Sequence, residues 1–353
     1  KHSLRSVLTE ICLLKNKLAS TVFGMEHSQL GRTGLNVSKI CLGTMTFGNQ
    51  CDEKTSHAIL DKAQSKGITF IDTADMYPAS GKETIGDTER IIGRWLKGKR
   101  EEIVLATKFW APMGSLPWQR GSSRRHIFDA VDASLERLQT DFIDLYQVHF
   151  PDYETPIDET IGALDDLVKM GKVRYLGCSN YPSWLLARSI GRSETLNLER
   201  FESVQPRYNL LFRQMERELF PLCEHDRIGV IPYNPLAGGL LTGQHERSAP
   251  REGSRFALES DQGERYRQRY WRDEFHDTVD QIRPIAESEG ISMAQLAVAW
   301  VLSKPFVTSP IVGATNPTQL DDAITAAANP LSEESVTKLD DLTRKYRAGD
   351  DER

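Results

Sequence analysis

Residues 141–181 read DFIDLYQVHFPDYETPIDETIGALDDLVKMGKVRYLGCSNY, and they carry the clearest signal for the fold class. Its ends, 141–150 and 173–180, are apolar runs rich in β-branched and aromatic residues with little alternation, which is typical of strands buried on both faces. The segment between them, 155–171, carries an apolar stripe at helical spacing, formed by Ile157, Ile161, Leu164 and Val168. The stretch therefore predicts a strand, a helix and a second, parallel strand.

The same alternation continues in both directions along the chain. Six further strands are predicted at 38–43, 69–74, 102–109, 201–209, 229–236 and 309–314. Helices are predicted between them, one after a Ser123 cap and another after Ser292, which has the spacing of a capping box with Gln295. A doubly wound sheet and a closed barrel both alternate in this way. Eight repeats without a linker favour a (β/α)8 TIM barrel, formed by residues 25–353 as one domain.

Two segments depart from the alternation. Residues 243–274 follow the seventh strand and have many charges and few aliphatic residues. Loops of this length are functional lids or disordered, and we interpret this one as a lid over the barrel rim. Residues 1–24 are expected to lie outside the fold as an N-terminal extension, because regular patterning begins at Met25; a targeting or partner-binding helix is the alternative.

Composition excludes several classes of function. The chain has 353 residues, a net charge of −6 and 27% charged residues, so it lacks the basic field that nucleic acids or anionic membranes attract. No apolar run approaches the roughly 20 residues that cross a bilayer. Five cysteines without CxxC spacing indicate buried thiols in a reducing compartment, and we expect a cytoplasmic protein. No metal site is predicted, and a homo-oligomer is compatible with the sequence.

Candidate catalytic residues lie where predicted strands end. The motifs GxGxxG, GxxxxGK[ST], HExxH and GxSxG are absent. Instead, Asp72 ends the second strand, Tyr77 follows it, Lys108 ends the third strand and His149 ends the fourth. One such residue alone is more often structural. Four ionisable groups at the same end of three successive strands predict an active site, because barrels carry catalysis at that end.

The residue types suit carbonyl reduction. As a hydride reaches a carbonyl carbon, the oxygen needs a proton, and Tyr77 is the predicted donor. An ammonium about 4 Å from a tyrosine would lower its pKa by up to about three units at an effective dielectric of ~20. Lys108 would supply this charge, Asp72 would keep Lys108 charged and oriented, and His149 would hydrogen-bond the substrate oxygen.

Ordered sequence blocks resemble the aldo-keto reductase superfamily. They are FIDTADMY (70–77), LATKFW (105–110), DFIDLYQVHFPD (141–152), KVRYLGCSNY (172–181), VQPRYN (204–209), PYNPLAGGLLTG (232–243) and PIVGATNPTQL (310–320). The opening QLGRTGLNVSKICLGTMTFG (29–48) resembles a bacterial branch related to the β subunits of potassium channels. The resemblance implies the same four catalytic residues and a nicotinamide cofactor.

The resemblance also implies a set of cofactor-binding residues. For the nicotinamide and its ribose they are Thr44, Met45, Asp72, Ser179, Asn180, Gln205 and Tyr233. For the pyrophosphate and adenosine they are Asn234, Pro235, Leu236, Ala237, Gly238, Gly313, Thr315, Gln319 and Asp322. Three positions, Gln244, Thr315 and Ala323, depart from residues common in the family and weaken the adenosine end. Arg255 matches an arginine that reaches the 2′-phosphate, so the resemblance implies NADPH.

The leading prediction is an NADPH-dependent reductase of a small aldehyde, ketone or sugar-like carbonyl compound. A redox-sensing regulatory subunit is the alternative from another class, and a barrel that binds ligands without chemistry is the third. The channel-related proteins often lack the active-site histidine, and the presence of His149 favours an enzyme. Aromatic residues could line a sugar pocket or could pack between lid and rim: Trp110, Trp118, Phe150, Tyr153, Tyr266, Tyr270 and Trp271.

Overall fold

The strands form a hairpin and a parallel sheet. The computed structural model describes residues 24–78 and 82–348. Strands β1 (His27–Gln29) and β2 (Asn36–Ser38) form the antiparallel hairpin. The parallel strands are β3 (Cys41–Gly43), β4 (Phe70–Asp72), β5 (Val104–Phe109), β6 (Ile143–Val148), β7 (Val173–Ser179), β8 (Phe201–Gln205), β9 (Gly229–Val230) and β10 (Ile311–Gly313).

The parallel sheet closes on itself. Strands β3 to β9 are neighbours in chain order, and β10 pairs with β3. The remaining gap is bridged by Tyr233 and Ile311, and the Ile311 N–H donates to the Pro232 carbonyl oxygen at 2.8 Å. The register places Lys108 beside Gln147 and Ser179 beside Gln205. Polar residues at the carboxyl ends of the strands therefore share one rim, as the predicted (β/α)8 TIM barrel requires.

Helices surround the barrel. They are α1 (Glu53–Ser65), α2 (Asp87–Leu96), α3 (Arg124–Leu138), α4 (Ile157–Lys169), α5 (Ser183–Leu196), α6 (Leu219–Asp226), α7 (Asp261–Tyr270), α8 (Asp273–Glu289), α9 (Met293–Leu302), α10 (Asp321–Ala328) and α11 (Glu333–Leu342). The predicted caps are confirmed: the hydroxyl oxygens of Ser123 and Ser292 accept from the third residue beyond each. Gly171 follows α4 with a φ of +74°, which suits glycine.

The eight predicted barrel strands are all present, but their limits differ. The predicted strand 38–43 is two elements, since Ser38 ends the hairpin and Cys41 begins the barrel. Strands β8 and β9 end several residues earlier than the predicted strands 201–209 and 229–236, because the chain leaves the ladder there to form the rim. The hairpin was not predicted, because its three-residue strands are too short to show a periodic pattern.

The hairpin closes the amino-terminal end of the barrel. Leu30 and Val37 are fully buried against the barrel interior, in one cluster with Phe70, Leu145 and Ile231. A larger apolar layer lies between the strands and the surrounding helices. The side chains that fill the barrel from below leave the opposite, carboxyl-terminal rim for ligands.

The predicted lid is an ordered segment with its own helix. It contains a short 3-10 turn, Arg255–Ala257, and helix α7, whereas disorder was the alternative interpretation. Tyr266 and Tyr270 are buried on the underside of α7. The segment therefore packs on the rim of the barrel.

Two further expectations concern the chain as a whole. The predicted extension, residues 1–24, lies outside the described residues except for Gly24. Cys41, Cys51, Cys178 and Cys223 are free and buried, as expected for cysteines that act as small apolar side chains. Among the described residues, no helix has the length and apolar character needed to cross a membrane.

Candidate active site

The four candidate catalytic residues converge at the carboxyl-terminal rim. Asp72 ends β4, Tyr77 lies in the following loop, Lys108 lies in β5 and His149 directly follows β6. Asp72, Tyr77 and His149 line a cavity of about 190 Å³. Lys108 is fully buried beneath it, with its ammonium 5.2 Å from the centre of the Tyr77 ring. The arrangement brings a proton donor, a cation and an imidazole to one small cavity.

A buried ion pair forms the floor of the site. Lys108 Nζ donates to Asp72 Oδ2 at 2.5 Å and to the Thr73 carbonyl oxygen at 2.7 Å. Asp72 Oδ1 accepts from Gln205 Nε2 at 2.9 Å and from Gln147 Nε2 at 3.0 Å. Burial lowers the pKa of Lys108, but the charges of Asp72 and Tyr77 and the hydrogen bond to Asp72 together raise it by more, and the net shift is upward. Lys108 therefore stays charged at neutral pH.

The pKa of Tyr77 differs from the expectation. Burial raises the pKa of its hydroxyl above the ordinary value, and the Asp72 carboxylate adds to the shift. Lys108 opposes this change without reversing it. The predicted lowering by up to about three units was an upper bound for the ammonium alone, which Asp72 was expected to temper but not to reverse. The Lys108 charge is instead largely matched by Asp72, so Tyr77 faces an ion pair and remains a protonated phenol at neutral pH.

His149 is a neutral hydrogen-bonding group in this site. Its side chain is buried, and burial, followed by the charge of Lys108, holds its pKa well below the usual range for histidine. The ring contacts Tyr77 edge to face, with 5.9 Å between centres, and stacks on Phe150 at 4.7 Å. A neutral imidazole positioned beside the phenol can donate one N–H to an oxygen in the cavity.

The residues predicted for the nicotinamide end form a connected network beside the cavity. Ser179 Oγ donates to the Gln205 carbonyl oxygen at 2.8 Å, and Asn180 Nδ2 donates to Ser179 Oγ at 3.0 Å. The Tyr233 hydroxyl donates to Asn180 Oδ1 at 2.8 Å. Thr44 and Met45 line the same cavity. A polar amide could exchange hydrogen bonds with this network, which fits the nicotinamide end of the cofactor.

A second cavity extends the first along the rim. Its volume is about 540 Å³, and the predicted residues that line it are Asn234, Pro235, Leu236, Gly238, Arg255, Gly313, Thr315, Gln319 and Asp322. Ala237 is fully buried beneath this groove, at a φ of +49° that turns the chain. Within the groove, the Thr315 N–H donates to Gln319 Oε1 at 2.7 Å, and Ser292 Oγ donates to Asp322 Oδ1 at 2.7 Å.

Unpartnered donors show that the groove fits an anionic cofactor. Asn234 Nδ2, Ser254 Oγ and Arg255 Nε are buried and have no hydrogen-bond partner among the described residues. All three residues line the same groove. Buried donors without partners are costly, and phosphate oxygens would satisfy them. The groove and the smaller cavity share Asn234 and Arg255, so one extended ligand could occupy both.

The structure shows the surroundings of two positions, Ala323 and Gln244, at which the chain departs from residues common in the family at the adenosine end. Ala323 is buried, so it offers no contact to a ligand. Gln244 Oε1 accepts a hydrogen bond from the guanidinium of Arg251, and both residues line the groove. Arg251 therefore places a cation where residue 244 lacks one.

Comparison with known proteins agrees with this geometry. The model of the aldo/keto reductase family matches residues 39–344. The chain belongs to this family. An uncharacterized oxidoreductase of Bacillus subtilis, YrpG, is 40% identical over 325 residues, which cover 90% of this chain and 96% of the relative. A probable voltage-gated potassium channel subunit β of Arabidopsis thaliana is 37% identical, covering 86% and 91% of the two chains. Versiconal hemiacetal acetate reductase of Aspergillus parasiticus is 35% identical, covering 90% and 96%.

Aldo/keto reductases are oxidoreductases that use NAD(P)H and act on small carbonyl compounds. Several residues that line or support the site of this aldo/keto reductase were not predicted from the sequence. Gln147 was hidden inside a strand, although its amide supports Asp72. Gln262, Arg265 and Arg269 line the smaller cavity from the lid. Their only sequence signal was a charged segment after the seventh strand, which does not indicate which side chains face inward.

The aromatic residues divide between the two roles that the sequence left open. Phe150 and Tyr266 line the smaller cavity. Tyr270 is buried, and Trp271 packs against Phe256 with ring centres 5.2 Å apart, so both serve mainly to attach the lid. Trp118 is exposed and lies under the guanidinium of Arg125. Few aromatic rings therefore contact the reacting centre.

Proposed function

We propose that this aldo/keto reductase is a cytoplasmic, NADPH-dependent enzyme that reduces a small aldehyde, ketone or sugar-like carbonyl compound to an alcohol. The observation that carries the proposal is the ion pair of Lys108 and Asp72, buried beneath a cavity that Tyr77 and His149 line. Burying two charges is costly, and a cavity above them with two oxygen-binding groups supports a catalytic use.

Tyr77 is the proposed general acid. A nicotinamide cofactor held by Ser179, Asn180 and Gln205 would supply a hydride to the carbonyl carbon, and negative charge would develop on the oxygen. Tyr77 holds its proton at neutral pH, because burial raises its pKa, and it donates that proton to the oxygen. Lys108 stabilises the resulting phenolate, and Asp72 keeps Lys108 in place.

His149 positions the carbonyl oxygen. Its imidazole is neutral, so it donates a hydrogen bond and does not compete with Tyr77 as an acid. The edge-to-face contact with Tyr77 holds the two donors side by side. Two donors directed at one oxygen fix its position relative to the cofactor cavity.

NADPH is the proposed cofactor. Arg255 and Arg251 both line the groove, and in the described part of the chain their guanidinium groups contact the neutral side chains of Tyr266 and Gln244 and no carboxylate. Guanidinium groups without a carboxylate partner suit the additional phosphate of NADPH. NADH lacks that phosphate, so it would leave the guanidinium groups of Arg251 and Arg255 without an anionic partner.

A redox-sensing regulatory subunit is the second proposal. Its support is the similarity to the protein named as a probable potassium channel subunit β, which spans 86% of this chain. A sensor must bind the cofactor but has no need for a proton donor beside the cavity. The joint placement of Tyr77, Lys108 and His149 therefore favours the reductase.

A carbonyl panel tests the proposal. Purified protein is mixed with NADPH and with representative aldehydes, ketones and sugars, and consumption of NADPH is followed by absorbance, with NADH in parallel. We expect turnover with at least one class and a preference for NADPH. Binding of NADPH by fluorescence without turnover on any substrate would favour the regulatory subunit. Absence of both binding and turnover would contradict both proposals.

A further inference from the structure

Arginines line both the smaller cavity and a wider cavity that adjoins it. Arg265 and Arg269 are four residues apart on α7, so they lie on one side of the helix, and both line the cavity that Tyr77 and His149 line. Arg269 also lines an adjoining, wider cavity of about 960 Å³, together with Arg207. Positive charge therefore continues from the reacting centre to the open rim.

None of these arginines has an ion-pair partner in the described part of the chain. Arg265 Nε donates to the Asp261 carbonyl oxygen at 3.2 Å. The Arg207 guanidinium lies 3.5 Å from the centre of the Phe212 ring, and that of Arg269 lies 5.9 Å from the Tyr266 ring. By contrast Arg267, between the two cavity-facing arginines, pairs with Glu264 at 2.9 Å.

The carboxylates near the entrance do not neutralise it. Asp72 is the one carboxylate among the residues that line the smaller cavity, and it is paired with Lys108. Glu218 is the one carboxylate among those that line the wider cavity. A protein with a net charge of −6 thus presents a positive entrance at its active site. Local charge of this kind attracts oppositely charged ligands.

The lid helix holds two of the arginines in position. The Tyr266 hydroxyl donates to Asn234 Oδ1 at 3.2 Å, and Asn209 Nδ2 donates to the Tyr270 hydroxyl oxygen at 3.1 Å. Both tyrosines are buried between α7 and the rim. The cavity-facing side of α7 is therefore fixed by contacts on either side of Arg269.

Two simpler roles, a solvated helix face and binding of the cofactor phosphates, do not explain why Arg265 and Arg269 line the smaller cavity without ion-pair partners among the described residues. On an ordinary solvated face, arginines can pair with neighbours on the helix, as Arg267 does. Binding of the cofactor phosphates would place them in the groove, but Arg265 and Arg269 are not among the residues that line it. The groove already has donors of its own in Asn234, Ser254 and Arg255.

We propose that the substrate carries an anionic group, a carboxylate or a phosphate, which Arg265 and Arg269 bind while Tyr77 and His149 contact the carbonyl oxygen. Arg207 attracts the anion from the wider cavity. The inference rests on the proposed reductase function and names its substrate class. A charge-assisted contact of this kind raises affinity by roughly ten- to a hundredfold.

Matched pairs of substrates test the inference. One pair is para-formylbenzoate and its neutral methyl ester, and the other is glyceraldehyde phosphate and glyceraldehyde. We expect kcat/KM to favour the anionic member by about ten- to a hundredfold, and to lose this preference as salt rises. The pair with the larger preference distinguishes a carboxylate from a phosphate.

Substitutions of the lid arginines test whether they cause the preference for the anionic substrate. In Arg265→Gln and Arg269→Gln, the ratio of kcat/KM between anionic and neutral members should fall toward one, while the Kd of NADPH stays unchanged. Arg272→Gln is the matched control, since it removes the same charge from a residue outside the cavity linings. Equal efficiency for both members of each pair in the wild type would overturn the inference and leave the reductase function intact. A loss of NADPH affinity equal to the loss of preference would assign the arginines to the cofactor.

A binding measurement decides the case in which no substrate turns over. Calorimetry compares para-hydroxymethylbenzoate with its methyl ester on the wild type and on the variant with both Arg265→Gln and Arg269→Gln. Tighter binding of the anion that the double variant loses would support the inference even if the reductase function fails. Identical binding of anion and ester by the wild type would contradict it. Both arginines are exposed, so the double variant should melt like the wild type.

Discussion

The Lys108 ammonium is surrounded by acceptors, with Asp72 Oδ2 at 2.5 Å and the Thr73 carbonyl oxygen at 2.7 Å. The ion pair is almost completely removed from water, since the two side chains are 0% and 4% exposed. Removing one partner of such a pair leaves an uncompensated charge and costs about 3–5 kcal/mol of stability. Variants of Lys108 or Asp72 would therefore mix unfolding with chemistry, and Tyr77 is the better probe of mechanism.

Tyr77→Phe should reduce turnover by about 10²–10⁴-fold, the usual contribution of a general acid. The variant keeps the ring and its contact with His149, so folding and NADPH binding should persist. Single-turnover hydride transfer and fluorescence titration of NADPH measure the two effects separately.

Tyr175→Phe is the matched control, because Tyr175 is half-buried in β7 and lies outside the cavity linings. A Tyr77→Phe variant whose single-turnover rate stays within a few-fold of the wild type would show that Tyr77 is not the acid.

Asp75→Asn should change how stability depends on pH. Burial, and then the charge of Glu89, raise the pKa of the Asp75 carboxyl well above its usual range. The folded state then holds a proton that the unfolded state releases near pH 4, so the stability of the wild type falls as pH rises toward the folded pKa. The slope is about 1.4 kcal/mol per pH unit, and Asn removes it.

Urea unfolding between acid and neutral pH, with the exposed Asp141→Asn as the control, measures the difference. The Asp75→Asn variant should gain stability relative to the wild type as pH rises. Parallel pH curves for the two proteins would show that Asp75 is ionised in the fold.

At the scale of elements, the hairpin β1–β2 depends on a close approach of backbones. Gly31, between its strands, has a φ of +57°. A Cβ atom there would lie 2.7 Å from the Glu202 carbonyl oxygen and 2.8 Å from both the Arg227 carbonyl oxygen and the Gly229 nitrogen. Only glycine lets the hairpin reach the base of the barrel, where Leu30 is buried.

Gly31→Ala should lower the free energy of unfolding by about 2 kcal/mol or more, since strain at positive φ and a clash with backbone act together. Gly34→Ala is the control in the same turn, because no atom lies within 4 Å of its added Cβ. Chemical denaturation measures both variants. Equal losses of unfolding free energy in the two variants would mean that the backbone around Gly31 moves to accommodate the added Cβ.

Arg255, in the lid, lines both the smaller cavity and the groove. Its guanidinium lies 4.7 Å from the centre of the Tyr266 ring, and Nη1 donates to the Tyr266 hydroxyl oxygen at 3.1 Å. The remaining Nε–H has no partner among the described residues. Arg255 therefore both attaches the lid and offers a free donor to a ligand.

Arg255→Ala should weaken NADPH binding by roughly ten- to a hundredfold and change NADH binding little, if the free donor serves the additional phosphate. Fluorescence titration with both cofactors measures this difference. Tyr266→Phe, which removes only the hydroxyl, tests the contribution of lid attachment. Equal losses for NADPH and NADH would mean that Arg255 serves the lid or the pyrophosphate instead.

At the scale of the molecule, the described fold begins at its amino-terminal side with a buried residue. Met25 is 2% exposed. Gly24 is exposed, and a side chain added at this position would have no atom of the described residues within 4 Å of its Cβ. We propose that residues 1–24 contribute nothing to folding or turnover. A chain of residues 25–353 should match the full chain in melting temperature and in kcat/KM. A fall of more than a few degrees in melting temperature would contradict this proposal.

Local patterns were sufficient for the order of the barrel elements. Strands buried on both faces and helices with one apolar stripe leave strong periodic signals, as in 141–181, so eight strands and the caps Ser123 and Ser292 could be predicted. The hairpin left no such signal, because three-residue strands are shorter than the pattern that reveals them. Strand ends at the rim were also displaced, since pairing with a neighbour decides where a strand stops.

Sequence patterns alone predicted the family, the barrel and four candidate catalytic residues, Asp72, Tyr77, Lys108 and His149, because strand ends in a parallel barrel meet at one rim. The tertiary structure alone decided how these groups affect each other. The direction of the Tyr77 pKa shift depends on burial and on how closely Asp72 matches Lys108, and neither is visible in a motif. Only the tertiary structure shows that Arg265 and Arg269 of the lid face the cavity. The way in which α7 packs on the rim, and not its composition, determines which side of the helix faces a ligand.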